Sequence, residues 1–213
     1  MVEQTSARIV GEFQASIDDP SILERWPADF RIRVSYEVRE RELISEIRYE
    51  NTGEGPLPCG FATHAYFRLP LTEGGIASDT VVMAPVHKFW ELDRMIPTGK
   101  VQAVPAEQQL AAGLRLADHQ FDTAFTALRP DADGLLRTKL TDPATERALT
   151  QTFDTSFTQC VVYTPPHREA ICLEPYTCVP DAIRLKAEGH ETGLQILKPA
   201  ESRQTTIRLA VSQ

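Results

Sequence analysis

Residues 30–38, FRIRVSYEV, set Phe30, Ile32, Val34, Tyr36 and Val38 against Arg31, Arg33, Ser35 and Glu37. A period of two is the signature of a strand with one buried and one wet face, and it cannot be kept by a helix. A short charged link at Glu40 leads into residues 43–49, where Leu43, Ile47 and Tyr49 share a face, so the pair reads as a β-hairpin. Further strand-like runs occupy 60–69, 80–89, 121–128, 147–153, 159–165, 170–175, 194–198 and 206–211, with turn-forming clusters (NTGEGPLP, TEGG, PTGK, PDADG, TPP, KPAE) between most of them. Only 21–26 and 105–114 read as helical. Many short strands at near-even spacing predict an all-β, antiparallel sandwich or barrel, built as a single domain over residues 1–213. The 15 prolines place many segments at edges or in loops, because proline cannot donate to a central ladder. Such a domain is expected to carry its ligand on one concave sheet face.

Charge and motifs exclude several functions. The net charge of −8 argues against a nucleic-acid partner, which requires a basic surface. No run approaches the ~20 apolar residues of a membrane span, and the N-terminus lacks a basic segment followed by an apolar one, so a cytoplasmic location is expected. Cys59, Cys160, Cys172 and Cys178 form no CxxC pair and are expected to be free thiols, without zinc or redox use. There is no GxGxxG, no Walker loop and no GxSxG elbow, and the histidines are not at metal-site spacing. No cofactor and no metal are therefore expected.

Three residues stand out. His64 lies in CGFATHAYFRLPL between aromatic neighbours, either as a core histidine satisfied by backbone or as an imidazole available for proton transfer. Glu174 follows the apolar run Ile171, Cys172, Leu173 and precedes Pro175. It could pair with Arg168 or Arg184, or be held for catalysis where Pro175 is expected to turn the chain out of the ladder. Asp122, flanked by Phe121 and Phe125, reads either as a turn aspartate or as an acceptor for sugar hydroxyls, with the rings covering the apolar face of a pyranose. His87 is placed at a strand end and His119 near a turn, and His167 and His190 are expected in exposed loops.

HAYFRL (64–69), IPTGKVQAV (96–104), FDTAF (121–125), CLEPYTCVPDA (172–182) and LQILKPAES (194–202) together resemble motifs of the aldose 1-epimerase (galactose mutarotase) family, in the same order and spacing. The resemblance covers about residues 28–211. It implies a large antiparallel β-sandwich, the galactose mutarotase-like supersandwich, shortened at its N-terminus. It also implies a cofactor-independent isomerase that interconverts the α and β anomers of an aldose. By this resemblance His64 is the acid at the ring oxygen, Glu174 the base at the C1 hydroxyl, and Asp122 a substrate-binding residue that orients the ring.

The chain departs from the family pattern in places. Thr63 stands where an Asn usually precedes the histidine, Ala200 where a Gly is usual, and the N-terminal portion that supplies an Arg and another His has no counterpart. The implied partner is a small sugar: glucose, galactose, a deoxysugar or a phosphorylated hexose, with neither nucleic acid nor membrane. The oligomeric state is left open. Two other readings share the scaffold: a non-catalytic carbohydrate-binding module or pseudoenzyme, and a glycoside hydrolase or lyase. A hydrolase calls for two carboxylates flanking the scissile bond, whereas an isomerase is expected to leave room for one pyranose ring between His64 and Glu174.

Overall fold

The computed structural model describes residues 1–117 and 119–212. In chain order the strands are β1 (Glu3–Gln4), β2 (Arg8–Gln14), β3 (Phe30–Arg39), β4 (Glu42–Asn51), β5 (Leu57–Cys59), β6 (Tyr66–Arg68), β7 (Val81–Met83), β8 (Lys88–Asp93), β9 (Ile96–Ala103), β10 (Leu114–Arg115), β11 (Asp122–Thr126), β12 (Leu136–Thr141), β13 (Ala148–Phe153), β14 (Gln159–Tyr163), β15 (Ala170–Tyr176), β16 (Gln195–Leu197) and β17 (Ser202–Ser212). Two short helices join them, α1 (Ala15–Asp18) and α2 (Ala182–Ala187). The protein is all-β, as the alternation predicts. No helix among the described residues is long and apolar enough to cross a membrane.

Contacts divide the chain into two compact units. The first holds Met1–Cys59 and Gln195–Leu209. Its strands are hydrogen-bonded in the order β1-β2-β3-β4-β17, and β5 pairs with β16. The predicted hairpin is β3–β4, with Arg39 opposite Glu42 across a two-residue turn. Strand β2, which lacks a clear alternation, was not legible and pairs along β3. Asp29 ties the entry to β3 to the end of β2. It accepts hydrogen bonds from the backbone and hydroxyl of Ser16, the Gln14 amide and the Thr52 hydroxyl. Burial alone would raise its pKa, but these donors outweigh it and hold the carboxyl down at about 2. Ala200 has φ of 62°, a left-handed conformation that glycine adopts freely, which accounts for the usual Gly in that turn.

The second unit runs from Gly60 to Leu194, with the chain end from Ala210. It contains strands in the order β13-β12-β7-β10 and a six-stranded antiparallel sheet, β6-β15-β14-β11-β8-β9. Strand alternation gives this sheet two distinct faces. Phe67, Phe125, Cys160, Val162, Ile171 and Leu173 lie on one face and are buried. Each large apolar side chain so buried contributes ~1.5–3 kcal/mol relative to exposure. The residues between them in sequence form the other face, which carries the candidate site.

Four local expectations are corrected. The run 60–69 is not one strand: only Tyr66–Arg68 pairs regularly, preceded by an isolated bridge between Ala62 and Tyr176. The window 105–114 forms a single 3-10 turn at Ala106–Gln108, after which the chain is already extended at Gln109 and turns at Gly113, φ 87°, into strand β10. The window 21–26 is likewise a 3-10 turn, Pro20–Glu24. IPTGK is not a turn but the start of β9; the chain reverses just before it, at Arg94 and Met95, both with positive φ.

Candidate active site

The register of the six-stranded sheet assembles the site. Tyr66 stands opposite Cys172 and Arg68 opposite Ala170, and the Ala62–Tyr176 bridge continues the same register. Between these rungs His64 falls opposite Glu174. On the next strand Val161 faces Glu174 and Tyr163 faces Cys172; beyond it Asp122 faces Tyr163 and Ala124 faces Val161. His64 and Glu174, 110 positions apart in the chain, thus share one face because each strand alternates with period two. His64, Tyr66, Leu92, Met95, Asp122, Ala124, Val161, Tyr163, Glu174, Tyr176 and Pro180 line a cleft of about 430 Å³, within the ~300–1,000 Å³ range of small-ligand sites.

Helix α2 packs on the sheet face beside this cleft, against Ala124, one of the lining residues. Ala182 and Leu185 pack on Trp90, Ala124 and Val179. Arg184 fastens the helix by donating to the carbonyl of Pro97 at 2.7 Å and to Asp181 at 2.6 Å. His190, expected in an exposed loop, is instead half-buried with its ring edge-on to Trp90, centroids 6.3 Å apart. Gly99 makes room for it, since a Cβ there would lie 2.7 Å from His190 Nε2.

Pro175 does not turn the chain out of the ladder. It is a buried member of β15, opposite Cys160. Its carbonyl accepts from Thr63 N–H at 3.2 Å, so its missing donor faces the irregular segment before β6 and leaves the pairing with β14 intact. Glu174 is held at the centre of a paired strand, not at its exit.

Glu174 is 1% exposed. Its Oε2 accepts from the Tyr176 hydroxyl at 3.0 Å. Its Oε1 lies 3.2 Å from His64 Nδ1, within ion-pair distance, but the alignment is not that of a hydrogen bond and Oε1 has none. Burial raises the Glu174 pKa, and His64 and the Tyr176 hydroxyl only partly offset it. Neither candidate arginine reaches Glu174: Arg184 pairs with Asp181 and Glu188, and Arg168 donates to the carbonyls of Ala117 and His119. His64 is no core histidine: its side chain is 55% exposed and stacks on Tyr66 with ring centroids 5.1 Å apart.

Asp122 opens β11 as an exposed residue on the cleft wall. Phe121 and Phe125 are 2% and 0% exposed, so they pack in the core and offer no face to a sugar. The rings in the cleft are Tyr66, Tyr163 and Tyr176. Sequence reading missed these as site residues, although each lies on the same sheet face as His64, Asp122 or Glu174. Tyr66 and Tyr176 stand two residues from His64 and Glu174. His87 is half-buried just before β8, His119 is half-buried and His167 is exposed; none lines the cleft. None of the four cysteines is in a disulfide.

The expected ring-sized gap between His64 and Glu174 is absent: the two groups adjoin. Anomer exchange does not require such a gap. The ring oxygen and the C1 hydroxyl are bonded to the same carbon, so an acid and a base that serve them must converge on one spot.

Comparisons with known proteins agree with this architecture. A galactose mutarotase-like protein from Clostridium acetobutylicum superposes with a TM-score of 0.87 at 22% identity, covering 100% of this chain and 64% of that one. A galactose mutarotase related enzyme from Lactobacillus acidophilus gives 0.77 at 17% identity, covering 100% and 70%. An aldose epimerase homologue from C. elegans gives 0.75 at 16% identity, covering 100% and 67%. The chain thus spans about two thirds of the length of these structures. The fold is the antiparallel supersandwich of galactose mutarotase-like proteins. The sequence model of the aldose 1-epimerase family matches residues 5–210, starting earlier than the motifs alone suggested. The chain belongs to the aldose 1-epimerase family.

Proposed function

We propose that the protein interconverts the α and β anomers of a neutral aldose, with His64 as acid and Glu174 as base. The observation that carries this reading is the cross-strand pair itself: an exposed imidazole and a buried carboxylate, 3.2 Å apart, opening on one cleft. His64 gives a proton to the ring oxygen while Glu174 takes the proton of the C1 hydroxyl, and the C1–ring oxygen bond breaks to leave an open-chain aldehyde. Rotation about C1–C2 presents the other carbonyl face. The ring hydroxyl then attacks, its proton returns to His64, and Glu174 returns a proton to the carbonyl oxygen. Burial makes Glu174 a stronger base than an ordinary carboxylate, which suits it to a hydroxyl proton. Tyr176 occupies Oε2 and so directs Oε1 toward the substrate. Asp122 accepts from hydroxyls farther along the ring, and the three tyrosines give it amphipathic walls.

Fresh α-D-glucose or α-D-galactose followed by polarimetry tests this. The protein is expected to speed the approach to equilibrium above the buffer rate, and His64→Ala and Glu174→Gln each to lower kcat/KM by ~10²–10⁴-fold while remaining folded by circular dichroism. Full activity in either folded variant refutes that residue's role.

A further inference from the structure

We propose that His64, Cys172 and Glu174 form a three-ligand site for a thiophilic divalent cation of the zinc type. Cys172 and Glu174 are two residues apart on β15 and therefore share the cleft face; His64 stands opposite Glu174 and next to Tyr66, the cross-strand partner of Cys172. One ligand atom from each, an imidazole nitrogen, a thiol sulfur and a carboxylate oxygen, lies within 4.8 Å of the others. A tetrahedral zinc with its usual bond lengths holds ligands ~3.3–3.7 Å apart. The site therefore closes on such an ion by a movement of the order of 1 Å, which the His64 ring, 55% exposed, has room to make.

The surroundings suit a cation. Glu174 Oε1 is a buried acceptor with no hydrogen bond, so its lone pairs are available. The Tyr176 hydroxyl on Oε2 and the Tyr66 ring on His64 orient two of the ligands, as outer partners do in metal sites. Imidazole, thiolate and carboxylate together select zinc-like ions over magnesium or calcium, and two of the three ligands, His64 and Glu174, line the cleft. An ion held there occupies both groups assigned to proton transfer, so it acts as an inhibitor. That consequence rests on the function proposed above; the binding itself does not.

The full chain is titrated with Co²⁺, whose thiolate charge-transfer and tetrahedral d–d absorptions report the ligand set, and with Zn²⁺ by calorimetry. One ion per chain with a thiolate band is expected. Cys172→Ser should remove the band, and His64→Ala, a change at an exposed side chain, should weaken binding at least ~10-fold. No band, a band that survives Cys172→Ser, or unchanged affinity in His64→Ala overturns the site. Zn²⁺ is also expected to suppress mutarotation reversibly by chelation. Binding without that suppression leaves the metal site standing and overturns the acid–base role of the pair.

Discussion

Glu174, the proposed base, is a residue whose burial acts on stability and basicity together. Its pKa is raised in the folded protein above the ordinary 4.5 because burial disfavours the carboxylate. Below about pH 4.5 it is protonated both folded and unfolded and has no effect; as pH rises beyond that, the buried charge subtracts from stability. Glu174→Gln is therefore expected to raise the thermal midpoint at pH 7 while removing activity, with the gain fading as pH falls below 4.5, a trend that calorimetry across pH would check. The Tyr176 hydroxyl stabilises the charged form, so Tyr176→Phe should shift the acid limb of the kcat/KM profile to higher pH. An unshifted limb would show that Tyr176 does not set the base. Sequence alone marked Glu174 as odd, a charge at the end of an apolar run. It gave the wrong reason, Pro175 as a strand exit, because whether proline breaks a ladder depends on which neighbour its missing N–H faces.

At the level of elements, β3 was legible by its strict alternation, and β14 and β15 by short apolar runs that match strands buried on both faces. Strand β2 and helix α2 were not. The first is an exposed partner of β3 with weak alternation, and the second is six residues long, held by Arg184 and by packing on Trp90 more than by any helical pattern. The same holds for residues 96–100, whose Pro-Thr-Gly reads locally as a turn but lies in an edge strand. Gly99 serves there to admit His190 and to adopt φ of 94°. Gly99→Ala is expected to cost ~1–3 kcal/mol, read as a lower denaturation midpoint, since both the backbone strain and the His190 contact act against it. A neutral result would mean that the His190 ring is not held against Gly99.

For the whole molecule, charge narrows the substrate. The chain carries −8, and the described cleft-lining residues include two carboxylates and no lysine or arginine. A phosphorylated hexose, one of the sugars the resemblance admits, meets repulsion without a compensating fork of donors. Its kcat/KM is expected to fall well below that of the parent sugar, with the gap narrowing as salt is added; a preferred phosphosugar would contradict the charge argument. The family was legible in five ordered motifs, and the acid, base and substrate-orienting candidates came from matching them. The tyrosines and the His64–Glu174 contact were not legible, since they depend on which rungs of β6 and β15 align, and the irregular stretch before β6 hides that register from any local pattern. The most direct test of the acid–base pair follows anomeric exchange of an equilibrated aldose by nuclear magnetic resonance, where no net reaction occurs and binding alone changes nothing. Exchange between the α and β signals well above the buffer rate, abolished by Glu174→Gln, is the predicted result. Exchange at the buffer rate, in a folded protein that still broadens or shifts the sugar signals, would contradict the account and mark a sugar-binding module on the same fold.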